Sequence, residues 1–96
     1  MVVHIVMFQF KEEHKQENIN TAKQMLEALV DKIEPLQSME VGINTVPSER
    51  SYDLVLTSTF EDMAGLDVYR THSEHLKVVA FIKEVTLSSK VVDYEK

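Results

Sequence analysis

The spacing of apolar and polar residues changes clearly within the first third of the chain. Residues 2–10, VVHIVMFQF, form a run rich in β-branched and aromatic side chains, which predicts a first strand. A polar stretch ends the run, and from about Glu17 to Glu34 the apolar side chains recur at helical spacing. Pro35 marks the expected end of this helix. The predicted buried stripe consists of Ala22, Leu26, Leu29, Val30 and Ile33.

The rest of the chain predicts two more strands, a broken helix and a final strand. Apolar and polar positions alternate in residues 38–46 and 52–60, and the short loop between these segments favours a hairpin. Residues 61–70 and 73–85 predict two consecutive helices, and residues 87–95 predict a fourth strand. The side chains expected to face inward are Met63, Leu66 and Tyr69 or Arg70 in the first of these helices, and Leu76, Val79, Phe81 and Ile82 in the second.

The order βαββαβ predicts an α+β protein with the ferredoxin-like topology, in which helices cover one face of the sheet. The first strand is apolar on both sides, because His4, Val6 and Phe8 alternate with a second apolar set. If one set packs on the helices, a second copy of the chain would cover the other by packing sheet against sheet. The sequence therefore predicts a homodimer in which the covered set is Val3, Ile5 and Met7.

Length and charge narrow the possible classes of function. We expect a single domain over residues 1–96. The net charge of −6 disfavours nucleic acid and anionic membranes as partners, and the absence of cysteine excludes disulfide and thiol chemistry. The apolar amino-terminal run has no basic leader and is too short to span a bilayer. We therefore expect a soluble, cytoplasmic protein.

Residues 68–75, VYRTHSEH, predict a corner between the two consecutive helices. Thr71 fits a capping box and Ser73 is a second candidate cap, so the second helix should begin between residues 72 and 74. His75 then falls in the first helical turn, where the helix dipole disfavours a positive imidazole. A neutral imidazole suits a general base, and Tyr69 would reach the same space. The alternative is a solvated histidine at a helix start.

The remaining histidines are open to more than one interpretation. His4 lies in an apolar strand, where it either bonds to the backbone at the edge of the core or contacts a ligand. His72 and His75 are three residues apart, but the predicted corner takes His72 out of the helix and no third ligand stands at zinc-like spacing. We therefore expect no metal site, and we expect His14 to be solvated in its charged loop.

Five segments spread over most of the chain carry a resemblance through their order and spacing: HIVMFQFK, MEVGIN, YDLVLTSTFED, YRTHSEH and VVDYE. Together they resemble the stress-responsive A/B barrel (Dabb) domain family of dimeric α+β barrels. That family usually has His-Pro-x-His at the corner, where this chain has His72-Ser73-Glu74-His75 and a serine that can cap the helix instead. The resemblance implies a ferredoxin-like protomer, a dimeric barrel and a cleft between the sheet and the helices.

The resemblance also implies roles for individual residues. More distantly, the chain is similar to the plant polyketide cyclase that makes olivetolic acid, whose acid–base pair at the corner matches Tyr69 and His75. The strand-one histidine of that enzyme matches His4, and a further pocket histidine corresponds to Leu54, which makes the cleft of this chain more apolar. Some relatives hold a cation on main-chain carbonyls at the end of the first helix, at positions that match Val30, Ile33 and Leu36.

Two functions remain open from the sequence. The first is a stress-related dimeric barrel, without an assigned reaction, that binds a small hydrophobic or aromatic ligand. The second is a cofactor-free acid–base enzyme, either a cyclase, an isomerase or a lyase, that uses Tyr69 and His75. The second gains support if both side chains open onto one cavity. The expected ligand-binding residues are His4, Val6, Phe8, Leu26, Leu54, Leu56, His72 and Phe81.

Overall fold

Four antiparallel strands form one sheet in the computed structural model, which describes residues 1–96. They are β1 (Val2–Phe10), β2 (Ser38–Ile43), β3 (Leu54–Phe60) and β4 (Thr86–Glu95). β1 lies in the centre between β3 and β4, and β2 pairs with β3 as the predicted hairpin, so the order across the sheet is β2-β3-β1-β4. This arrangement confirms the predicted ferredoxin-like α+β fold.

Three helices cover one face of this sheet: α1 (Lys15–Glu27), α2 (Met63–Thr71) and α3 (Ser73–Val85). α2 and α3 are the predicted consecutive pair. None of the three combines the length and the apolar composition that are needed to cross a membrane.

The first helix is shorter than the sequence predicts. Its α-helical part ends at Glu27, and a 3₁₀ helix continues over Ala28–Asp31. The Ala28 N–H donates to carbonyls in the last turn of α1. Within the 3₁₀ helix, the Leu29 carbonyl accepts from two following N–H groups at 3.0 Å each. The predicted stripe is still buried, apart from the half-buried Val30, because the 3₁₀ helix keeps the later apolar side chains over the sheet.

The core lies between the helices and the even-numbered positions of β1. From the helical layer it includes Leu66 and Tyr69, as predicted. Two helical positions were wrong: Met63 is 41% exposed and Leu76 is 51% exposed. In α3 the buried positions are Val78 and Ile82. They are spaced by four residues and so lie on one side of the helix.

The corner between α2 and α3 falls where the sequence predicts it, but its cap is a different residue. α2 ends at Thr71 and α3 begins at Ser73. The residue between them, His72, has an extended backbone, and its Nδ1 accepts a hydrogen bond from the Glu74 N–H at 3.1 Å. Thr71 and Ser73 were therefore the wrong candidates. An imidazole nitrogen with a lone pair satisfies a free N–H of the first turn just as a serine oxygen does.

His72→Ala should lower the free energy of unfolding by about 1 kcal/mol, which is the usual cost of losing a cap. Thr71→Ala is the matched control, because the Thr71 hydroxyl bonds only to the Asp67 carbonyl, at 3.4 Å, and caps nothing. Urea denaturation of the two variants measures the difference. Equal losses would mean that the imidazole does not stabilise the start of α3.

The other face of the sheet has no helical cover, and we call it the open face. It carries the odd-numbered residues of β1, of which Val3 is buried by its strand neighbours, Ile5 is half-buried and Met7 is 40% exposed. The strand register places further apolar side chains beside them. These neighbours are Val55, Val92 and Tyr94.

Candidate active site

A cavity of about 180 Å³ lies between the sheet and α3. β1 forms its floor with alternate side chains, and α3 forms its roof with residues spaced three or four apart. Eight of the thirteen lining residues are hydrophobic, and none is acidic. The lining residues are His4, Val6, Phe8, Leu26, Leu56, Tyr69, His75, Val78, Val79, Ile82, Lys83, Thr86 and Ser89.

One end of this cavity, the polar end, consists of His4, Tyr69 and His75. The corner brings Tyr69 from α2 and His75 from α3 into contact, with ring centroids 4.1 Å apart and planes inclined at 36°. The ring of His4, from β1, lies 6.1 Å from that of Tyr69. Phe60 packs on Tyr69 at 5.1 Å between ring centroids and helps to fix its orientation. The polar end therefore brings together three side chains that can each donate or accept a hydrogen bond.

The hydrogen bond of His75 defines its tautomer. Its Nδ1 lies 3.2 Å from the Arg70 carbonyl oxygen, which can only accept, so Nδ1 carries the proton. In the neutral ring, Nε2 then holds a free lone pair. Burial lowers the pKa of His75 below its ordinary value of 6.5, the bond to Arg70 opposes this shift, and the charges of His4 and His72 add to it. Desolvation is the largest of these effects, and it favours the neutral imidazole.

The Tyr69 side chain is 1% exposed, and its hydroxyl oxygen has no hydrogen-bond partner in the protein. Burial raises the pKa of this phenol well above its ordinary value of 10.0, because a phenolate would lose its hydration. Tyr69 therefore remains a protonated donor at neutral pH. A buried hydroxyl without a partner is uncommon in folded proteins, and each such case calls for an explanation.

His4 is held by a carboxylate that the sequence reading missed. Its Nδ1 bonds to the side chain of Asp93, which also accepts from the Arg70 guanidinium at 3.3 Å. The interpretation of His4 as bonded to the backbone is therefore wrong, whereas a contact with a ligand stays a prediction, since His4 lines the cavity. The bond to Asp93 leaves Nε2 without a protein partner. The contact follows from the pairing of β1 with β4, which sets Asp93 directly opposite His4. That pairing joins strands from the two ends of the chain, so local patterns do not reveal it.

The structure brings most, but not all, of the predicted site residues to the cavity. Three of them lie elsewhere. Leu54 is 2% exposed within the core, His72 caps α3, and Phe81 packs half-buried against the core away from the cavity wall. No group of three or more His, Asp or Glu side chains is arranged to hold a metal ion. The predicted residues that do line the cavity are His4, Val6, Phe8, Leu26, Leu56, Tyr69 and His75.

The family model of the stress responsive A/B barrel domain matches residues 2–96. The chain belongs to this family. The resemblance drawn from the five segments is therefore confirmed. No protein of curated function matches the chain.

Solved structures similar to this A/B barrel domain share its fold over nearly their whole length. A Bacteroides fragilis protein, described as dimeric, ferredoxin-like and of unknown function, is 34% identical with a TM-score of 0.90, covering 99% of this chain and 95% of its own. A dimeric ferredoxin-like protein of unknown function from Jannaschia is 26% identical with a TM-score of 0.84, covering 99% and 98%. A hydroxynitrile lyase from Passiflora edulis is 18% identical with a TM-score of 0.86, covering 97% and 90%, and at this identity it shows the fold alone.

Proposed function

We propose that this protein binds a small, largely apolar molecule in the cavity and transfers protons to and from it without a cofactor. In this proposal His75 is the general base, through Nε2, and Tyr69 is the hydrogen-bond donor to an oxygen of the substrate. His4, oriented by Asp93, is a second proton-carrying group at the polar end.

The buried Tyr69 hydroxyl is the observation that carries this proposal. A buried hydroxyl without a partner costs free energy, about 1–3 kcal/mol, that a ligand oxygen could recover. The Tyr69 ring contacts the neutral imidazole of His75, whose Nε2 also has no hydrogen-bond partner. A donor that stays protonated beside a base that stays neutral is the pairing that proton abstraction next to a carbonyl needs. The base takes the proton, and the donor stabilises the charge that develops on oxygen.

Ligand binding without turnover is the second candidate function. The mainly apolar lining supports it, because such walls hold an apolar molecule without any reaction. Relatives described as of unknown function are compatible with either candidate.

We also propose that the protein acts as a homodimer through the open face. Two observations support this. The apolar residues of the open face, including the half-buried Ile5 and the exposed Met7, have no cover within the chain. The Bacteroides fragilis relative, which is 34% identical, is described as dimeric. A sheet-to-sheet contact between two copies would bury this face and complete a barrel.

Hydrogen–deuterium exchange on carbon separates the two candidate functions. Phenylacetone and related aryl ketones are incubated with the protein in D₂O, and the gain in mass at the α-carbon is followed by mass spectrometry. Binding is followed in parallel by NMR shifts of Val6 and Val78. Exchange faster than in buffer supports catalysis, since His75 would break the C–H bond and return a deuteron from solvent. Binding without exchange would favour the second candidate. If the protein shows no binding and no exchange, the result contradicts both candidate functions.

Tyr69→Phe should slow this exchange roughly tenfold or more, and yet leave the folded protein as stable as before or more stable by about 1 kcal/mol. The variant removes a buried polar atom without a partner, so folding loses no hydrogen bond, whereas the reaction loses its donor. The melting temperature and the exchange rate are measured on the same samples. Tyr52→Phe is the control, because the Tyr52 hydroxyl accepts from Ser88 at 3.1 Å outside the cavity. A clear loss of stability in Tyr69→Phe would show that its hydroxyl has a structural role instead.

A further inference from the structure

The end of the cavity opposite the polar end, the far end, carries one cation. It consists of Lys83, Thr86 and Ser89. The chain has sixteen acidic and ten basic residues, but the cavity wall has no carboxylate and Lys83 is its only Lys or Arg. The charge at the wall is therefore opposite in sign to the net charge of the chain.

Lys83 has no partner within the protein. It takes part in none of the ion pairs, whereas Lys77, on the same helix, pairs with Glu74 at 2.8 Å. Ser89 makes no side-chain hydrogen bond either, while the Thr86 hydroxyl donates to the Ile82 carbonyl at 2.8 Å. Two polar side chains, an ammonium and a hydroxyl, are therefore free beside the cavity.

The two ends of the cavity are separated by the length of a small molecule. Along α3, His75 and Lys83 are eight residues apart, which corresponds to about 12 Å. Along the sheet, Asp93 is paired with His4 and Ser89 with Phe8, so the ends are four residues apart, or about 13 Å. The side chains between the two ends are apolar. Helix and sheet therefore describe the same elongated, apolar space with a polar group at each end.

We propose that the ligand of this cavity is an organic acid: an apolar body with a carboxylate at Lys83 and Ser89, and its opposite end at Tyr69 and His75. This inference rests on the proposed function and names the class of its substrate. Because Lys83 is exposed at the cavity mouth, its attraction for a carboxylate is modest and screened by salt. Its main effect is on orientation, since it fixes which end of the molecule meets the acid–base pair.

Octanoate and octanamide form a matched pair of probes, because they differ mainly in the charge of one end. Both are titrated into the ¹⁵N-labelled protein at low salt, and dissociation constants are read from shifts of residues that line the cavity. Octanoate should bind about threefold to fivefold more tightly than octanamide, the scale of an exposed ion pair. In Lys83→Gln the two probes should bind equally. Lys77→Gln, which makes the same charge change on the same helix outside the cavity, should keep the preference.

The possible results separate this inference from the proposed function. If octanamide binds in the cavity as tightly as octanoate, the carboxylate assignment is overturned, but binding in the cavity stands. The same holds if Lys83→Gln still prefers the acid. If neither probe shifts the cavity residues at millimolar concentration, the result counts against both. A preference for octanoate that fades as salt rises and is absent in Lys83→Gln supports the assignment. A merely structural role of Lys83 would not discriminate between the two probes.

Discussion

His75→Ala should slow the exchange of the α-protons of phenylacetone at least roughly a hundredfold, the usual scale for the loss of a general base. The His75 imidazole combines a free Nε2 with a lowered pKa, so its removal takes away the proposed base itself. Ligand binding should change little, because the apolar wall remains. His14→Ala is the matched control, since the His14 side chain is 71% exposed and does not line the cavity. Equal rates for the two variants would remove His75 from the mechanism.

The pH profile adds a second signature of the same residue. Burial lowers the pKa of His75 below 6.5, so the base is neutral throughout the neutral range, and the rate should fall only as the pH drops towards that lowered value. The raised pKa of Tyr69 predicts no fall in rate as the pH passes 10.0. The stability of the fold should also decrease at acid pH, for the same reason. The unfolded chain takes up the His75 proton first, so stability is complete above about pH 6.5 and declines as the pH falls below it. This contribution to the loss of stability at acid pH should be absent from His75→Ala.

Ile5→Asp should convert the dimer into a folded monomer. Ile5 lies near the centre of the open face, between Thr57 of β3 and Val92 of β4. In a symmetric dimer the substitution places two carboxylates in one apolar contact, and each unpaired buried charge costs several kcal/mol. The dissociation constant of the dimer should therefore rise at least about a thousandfold, since each 1.4 kcal/mol is a factor of ten.

Light scattering over a range of concentrations measures this change in assembly, and circular dichroism shows whether the monomer keeps its fold. Leu76→Asp is the matched control, because Leu76 is 51% exposed on the helical layer, away from the open face. It introduces the same charge and should leave the dimer intact. A wild-type protein that is monomeric at micromolar concentration, or an Ile5→Asp variant that stays dimeric, would contradict the proposed interface.

The sequence predicted the elements best where local patterns are strong. The bounds predicted for β1 and α3 agree with the structure, because a β-branched run and a helix start after a corner are both local signals. The prediction failed at Leu76. Helical spacing shows that one side of α3 is apolar, but it does not fix which residues on that side face the sheet. The prediction failed again at the cap, because serine and threonine are the usual capping residues and histidine is rarely considered.

The candidate site was predictable only in part, for a related reason. Tyr69 and His75 are close in sequence, so the corner alone brings them together. The contact between His4 and Asp93, and the position of Ser89 opposite Phe8, depend on pairing between the first and last strands. The apolar pattern of a strand indicates which of its sides is buried, but the residue that each position faces on a distant strand is set by the whole fold.

Arg70 holds the two cavity histidines by different means. Its carbonyl oxygen fixes the tautomer of His75, and its guanidinium bonds to the carboxylate that holds His4. A carbonyl is present whatever residue stands at position 70, so the tautomer of His75 is inherited with the backbone and survives sequence drift. The environment of His4 depends on two side chains and is lost when either one changes. Within one cavity, therefore, substitutions can change the environment of the His4 imidazole, whereas the backbone keeps the tautomer of His75 the same.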